Sequence, residues 1–202
     1  MAMGIILTSG AISMFTGNMK SSYNFVSLAK LDQDLQGVLN LIGKEVRRAG
    51  YDADRSIGND TDFGINANST SSCILYSYDN NSSGLVGQLD SNENYGIRFD
   101  NSSNKVLFGS SVTSCSGAGW SSIIDANTVE ISNLSFTQND ICLNLENDTD
   151  CTTVPATSGD QLLWKKQINI VITGNYTNDP DNHSHTLKST VRLHNDLLQV
   201  AP

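Results

Sequence analysis

Between Met1 and Gly50 nothing in the sequence ends a helix, and a helix of that reach cannot be covered by one domain of this size. No charged side chain occurs from Met1 to Met19. From Ser27 onward, Leu28, Leu31, Leu35, Val38, Leu39, Ile42 and Val46 recur at spacings of three and four, the period of an amphipathic helix. At about 1.5 Å per residue the predicted helix reaches roughly 70 Å, several times the radius of a domain of ordinary size. Much of it must find cover outside its own head, from a membrane, a partner helix, or both.

The remaining residues, 51–202, suffice for one head domain with its own core, so the division expected is a stalk over 1–50 and a β-rich head over 51–202. Charged residues make up only 16% of the chain and the formal net charge is -9, with Asn, Ser, Thr and Gly supplying a neutral-polar surface typical of exported proteins. The acidic balance argues against general nucleic-acid binding. Lys165 and Lys166 beside Trp164 are the local exception, and a solvated strand edge explains them better than a DNA contact.

The four cysteines, Cys73, Cys115, Cys142 and Cys151, all lie in the head, and none forms a CxxC pair. An even count in a head of exported composition favours two disulfides in an oxidising compartment over zinc. Three connectivities are formally possible for four cysteines. Pairing Cys142 with Cys151 closes the short polar loop between them, which leaves Cys73 for Cys115.

The amino terminus lacks the basic region and the small-residue cleavage site of an export signal. Its uncharged stretch also falls slightly short of the roughly 20 apolar residues that span a bilayer comfortably. It reads as the later part of a membrane segment. Where the helix closes, Arg47 and Arg48 suit its negative end and Gly50 can take the left-handed conformation that terminates it.

After a polar crossing from Asp52 to Ser72 the period changes to that of strands. Cys73–Tyr78 is followed by an Asn- and Ser-rich turn at Asp79–Gly84. Tyr95–Phe99 and Lys105–Gly109 flank Asp100–Asn104 as a β-hairpin. Further strands are expected at Thr128–Phe136, where Val129, Ile131, Leu134 and Phe136 skip a beat near Asn133 as at a β-bulge, and at Ile141–Leu145. Gln167–Thr173 and Leu187–Leu193 would pair across a polar loop, Gly174–Thr186. The fold class is α+β: a long N-terminal helix packed on an antiparallel β-sheet head.

In this order the segments Gly17–Ser22, Glu45–Tyr51 (EVRRAGY), Cys73–Asp79, Tyr95–Arg98, Cys115 with Gly119–Trp120, Ile131–Phe136 and Val191–Asn195 make the chain resemble the type IV pilin superfamily, and within it the PilW-like minor pilins. The resemblance implies a precursor held in the inner membrane by one pass with a periplasmic head. It also implies processing by a prepilin peptidase and assembly with other pilins through the N-terminal helix, into or at the tip of a surface pilus. A processing site like Gly-Phe-Thr-Leu-Ile-Glu has no counterpart at Met1–Ile5, so the sequence is expected to begin inside the membrane segment. The physical logic agrees, because an uncharged helix half is satisfied both in lipid and among neighbouring helices.

No catalytic chemistry is legible: there is no GxSxG, P-loop or HExxH, and His183, His185 and His194 come late in the chain. No cofactor or resident metal is expected. Asp79–Gly84 begins like a calcium loop, with Asp90 where a bidentate Glu would stand, but a hairpin turn accounts for its Asx and Gly residues. Asp179, Asp181, His183 and His185 fit a solvated loop as well as a metal site. Asn59, Asn68, Asn101, Asn133 and Asn175 begin Asn-x-Ser/Thr triplets that chance supplies in so Asn-rich a chain. Three roles are therefore weighed: a PilW-like minor pilin, a minor pseudopilin of a type II secretion system, and an adhesive head presenting the loops at Asp79–Gly84 and Gly174–Thr186.

Overall fold

The computed structural model describes residues 2–51, 64–66, 68–80, 90, 92–125, 128–177, 183–193 and 196–201. One helix, α1 (Ala2–Arg47), is followed by β1 (Gly64–Ile65), β2 (Cys73–Ser77), β3 (Asn94–Asp100), β4 (Lys105–Ser110), β5 (Trp120–Ser122), β6 (Val129–Gln138), β7 (Ile141–Asn144), β8 (Thr149–Asp150), β9 (Gln161–Lys165), β10 (Gln167–Tyr176), β11 (Ser184–Arg192) and β12 (Leu197–Val200). The architecture is α+β with every strand pair antiparallel.

α1 ends as its sequence dictates. Gly50 has φ of 81°, and the last amides bond back to Glu45, Val46 and Arg48 carbonyls while Gly50 N–H donates to Ser77 O at 2.9 Å. Helix and β2 are thereby stitched together at their ends.

The strands form three sheets rather than one, in the orders β1-β2-β3-β4-β5, β11-β10-β6 and β12-β9-β7-β8. The second and third are nearly continuous. Only Asn139 and Asp140 separate β6 from β7, and Lys166 alone separates β9 from β10, so the middle strand passes from one sheet into the other. β6 also borders the first sheet, through Phe136 N–H to Ser71 O at 2.7 Å and Ile131 N–H to Asn104 O at 3.0 Å.

β10 alternates cleanly, with Ile168, Ile170, Ile172 and Gly174 turned inward beneath α1. Opposite them β6 carries the expected bulge: Ile131 pairs with Gly174 and Asn133 with Thr173, so Ser132 has no residue opposite it in the register, its hydroxyl donating to Thr173 O at 3.3 Å, and both Ile131 and Leu134 still face the core. The helix lies close on this layer because two glycines let it. A Cβ on Gly43 would meet Val191 Cγ2 at 3.3 Å, and one on Gly174 would meet Leu35 Cδ2 at 3.0 Å.

Against the sheet, Leu31, Leu35, Leu39, Ile42 and Val46 are buried and Val38 is partly so. Each fully buried side chain contributes about 1.5–3 kcal/mol before chain entropy is subtracted. Leu28 departs from the predicted stripe. It is 37% exposed although its neighbour Ser27 is buried, and the contacts of α1 with the β10–β11 hairpin nearest to it are Lys30 over the Tyr176 ring and Asp32 paired with His185.

The hairpin predicted at 95–109 is β3 and β4, with Asp100 opposite Lys105. The predicted loop Gly174–Thr186 is shorter than expected. Pairing continues to Asn175 opposite Ser184, supported by a hydroxyl bond of 2.9 Å between Thr173 and Thr186. Disulfides join Cys73 to Cys115 and Cys142 to Cys151.

Candidate assembly surface

Among the described residues, the part of α1 that the head leaves largely uncovered lies N-terminal to Lys30. From Ser9 to Lys30 every side chain except Asn24 and Ser27 is exposed, including Ile12, Met14, Phe15, Met19, Tyr23, Phe25 and Val26, most of them at or above half of full exposure. Lys20 and Lys30 are the only charges there. So many large apolar side chains on all sides of one helix are far beyond the scattered exposed residues normal for a soluble surface.

Within this segment Ile12, Phe15, Met19, Tyr23 and Val26 follow one another at helical spacing, and Lys30, Gln33, Gly37 and Leu41 continue the same line along the packed half. There the line enters a groove of about 400 Å³ between α1 and the segment joining β5 to β6, lined by Gly37, Val38 and Leu41 on one side and Ile123, Ile124 and Val129 on the other. Leu41 is 42% exposed at its mouth.

One polar side chain of the segment is satisfied without water. Thr16 Oγ1 bonds the Ile12 and Ser13 carbonyls, each at 3.0 Å, so its hydroxyl is satisfied within the helix. Gly10 and Gly17 have open space where a Cβ would stand, which permits another backbone to approach closely. Among the described residues, no helix is long and apolar enough to cross a membrane.

At the other end, α1 is clamped to the head by an aromatic cluster. Tyr76, Tyr78, Tyr95 and Phe108 stack with ring centroids 4.5 to 6.3 Å apart, and the Arg48 guanidinium lies 4.1 Å over the Tyr78 ring. Burial, reinforced by Glu45, pushes the Tyr76 phenol well above its ordinary range, and burial together with a bond to Tyr95 does the same to Tyr78. The cluster joins the end of α1 to β2, β3 and β4.

Around the first disulfide, Arg98 donates to Cys115 O at 2.6 Å and its guanidinium lies 4.7 Å over Trp120. Around the second, Cys142, Leu162 and Ala201 form a small core with Trp164 against them. Lys165 and Lys166 stand at the junction of β9 and β10, partly buried, where Lys166 O accepts from Leu193 N–H at 3.1 Å.

Of the candidate calcium loop, Asp79 and Asn80 are described and 81–89 are not. Glu93, 1% exposed, accepts from the Asn80 and Asp90 amides at 3.2 and 2.8 Å and so fixes the base of that loop. Sequence reasoning missed it, although a lone acid beside Asn94 at a strand start was the available signal. Of the second candidate cation set, Asp179 and Asp181 lie outside the described residues, and His185 Nε2 pairs with Asp32 Oδ1 at 3.0 Å. Among the described residues no three His, Cys, Asp or Glu side chains gather as metal ligands would. Asn68, Asn101 and Asn133 are exposed, Asn175 is partly buried, and Asn59 and His194 lie outside the described residues.

A profile of the family described as PpdB, prepilin peptidase-dependent protein B, matches residues 24–193, from the uncovered part of α1 through β11. No curated protein and no solved structure matches the chain.

Proposed function

The chain belongs to the prepilin peptidase-dependent protein B family, and on that premise we propose that it is a minor pilin of the PilW kind, a structural protein that helps initiate type IV pilus assembly and sits at or near the pilus tip. The observation that carries the reading is the uncovered half of α1, where Ile12, Phe15, Met19, Tyr23 and Val26 find no cover in their own head. A helix of this kind is stored in lipid before assembly and enters a bundle of neighbouring pilin helices afterwards, since both surroundings accept an apolar surface whose backbone bonds are internal. The head then stands in the periplasm, and later at the cell surface, with its disulfides formed in an oxidising compartment. Partners are other minor and major pilins met through the helix, with no nucleic acid, cofactor or catalytic step involved.

The test compares a strain lacking the gene with a complemented strain, scoring sheared surface pili and secreted enzymes together. Loss of pili with normal secretion supports the minor-pilin role. Loss of secretion with normal pili would replace it with the pseudopilin of a type II secretion system. Normal pili and secretion with lost attachment would leave an adhesive head.

A further inference from the structure

Among the described residues, the outer edge of the head carries charged side chains along one half of its length and none along the other. β11 borders only β10, and its outward side chains include Lys188, Thr190 and Arg192, the polar and charged residues that keep an edge from pairing with other chains. β12, which follows on the same side of the ribbon, reads Leu-Leu-Gln-Val and carries no charge. Its Leu198 and Val200 are 57% and 67% exposed.

Among the described residues, neither the outward backbone groups nor the exposed side chains of those two residues have a partner. Ala201 N–H donates to Asp160 O at 2.8 Å, toward the β9 side, so by antiparallel alternation the N–H and C=O of Val200 and Leu198 point away from β9. On the open face Leu198 lies directly opposite Leu163, and Leu163 opposite Leu143, a leucine row across three strands with Ile141 exposed beside it. None of these side chains belongs to a packed cluster among the described residues; the small core around Cys142, Leu162 and Trp164 lies on the other face.

We propose that β12 is a docking edge for an extended, uncharged segment of another protein, which adds as a further strand and lays alternate apolar side chains against Leu198, Val200 and the leucine row. A strand is favoured over a folded surface because the site combines an unpaired backbone with an apolar face of the same period. A second copy is disfavoured on two counts. Four residues of edge span only about 13 Å, too short a strip to bury the roughly 800 Å² per partner of a stable dimer. Two chains of formal charge -9 also repel. The inference does not depend on how the helix assembles.

A phage-displayed library of short peptides, panned on the purified chain with the Leu198→Lys chain as counter-target, tests it. The expected winners alternate apolar residues, lack Pro within the motif, lose affinity roughly tenfold or more on Leu198→Lys and on Val200→Lys, and slow amide exchange at Leu198 and Val200. Both variants change exposed side chains, and circular dichroism confirms that each is folded. Failure to select any peptide that distinguishes the variants would overturn the proposal, as would winners with helical spacing. A dimer of the free chain that either variant dissolves would overturn it in favour of self-association.

Discussion

The guanidinium of Arg48 rests 4.1 Å above the ring of Tyr78, joining the residue that follows α1 to the residue that follows β2. Glu45 holds the same guanidinium from the helix side at 3.5 Å. The contact is partly exposed, so Arg48→Ala is expected to lower stability by about 0.5–1 kcal/mol, with Arg48→Lys recovering part of it. Thermal unfolding of the three chains measures this, and identical midpoints would show that the cation contributes nothing.

Tyr76 is 1% exposed and its hydroxyl has no hydrogen-bond partner among the described residues. Tyr76→Phe removes an unsatisfied polar group and keeps the ring stack, so it should leave stability unchanged or raise it by up to about 1 kcal/mol, whereas Tyr76→Ala should cost about 3–5 kcal/mol. The pH behaviour follows in sign. A phenol whose folded value lies above 10.0 disfavours ionisation, so its stabilising effect is complete below that pH and is lost as pH rises through and beyond it. Tyr76→Phe should therefore resist alkaline unfolding better than the wild type, as followed by ultraviolet absorbance of phenolate.

The disulfides differ in the length of chain they close. Cys73 and Cys115 are separated by 42 residues and Cys142 and Cys151 by 9, which in the chain-entropy model correspond to about 4 and about 2.5 kcal/mol. Replacing the first pair by Ser should lower the midpoint of thermal unfolding by roughly 10 °C, and replacing the second by less. The reverse order would mean that the small core around Cys142 matters more than loop closure.

Gly174 sets the distance between helix and sheet. A side chain there would meet the Glu130 carbonyl at 3.1 Å as well as Leu35, and backbone cannot give way as a side-chain tip can. Gly174→Val is expected to cost about 1–3 kcal/mol, and Leu35→Ala, which empties the facing position, about 2–5 kcal/mol. Denaturant unfolding checks both. A Gly174→Val chain as stable as the wild type would show that the helix has slack over the sheet.

Much of this fold is legible in the sequence, because periodicity alone marks α1, the β3–β4 hairpin, the alternation of β10 and the skipped beat at Ser132. What periodicity cannot tell is where an element loses its cover. Leu28 belongs to the stripe by spacing, yet it is 37% exposed while Ser27 beside it is buried. β9 and β12 escaped notice because Gln161–Lys165 and Leu197–Val200 are short apolar runs without alternation, defined as strands only by the neighbours they pair with. The ends of β10 and β11 look like loop by their Asn, Ser and Thr residues, although cross-strand bonds such as that between Thr173 and Thr186 hold them in register. The candidate surface itself was the most legible feature, since an uncharged helix half too long for its head can be read without any tertiary information.

The most direct test of the central claim replaces Phe15, Met19 and Val26 together by Asn in the chromosomal gene and counts surface pili. All three side chains are more than half exposed, so the head should keep its unfolding midpoint. The expected result is a folded head with pili lost or sharply reduced. A variant that is equally folded and piliates like the wild type would contradict the assignment of this helix face to assembly.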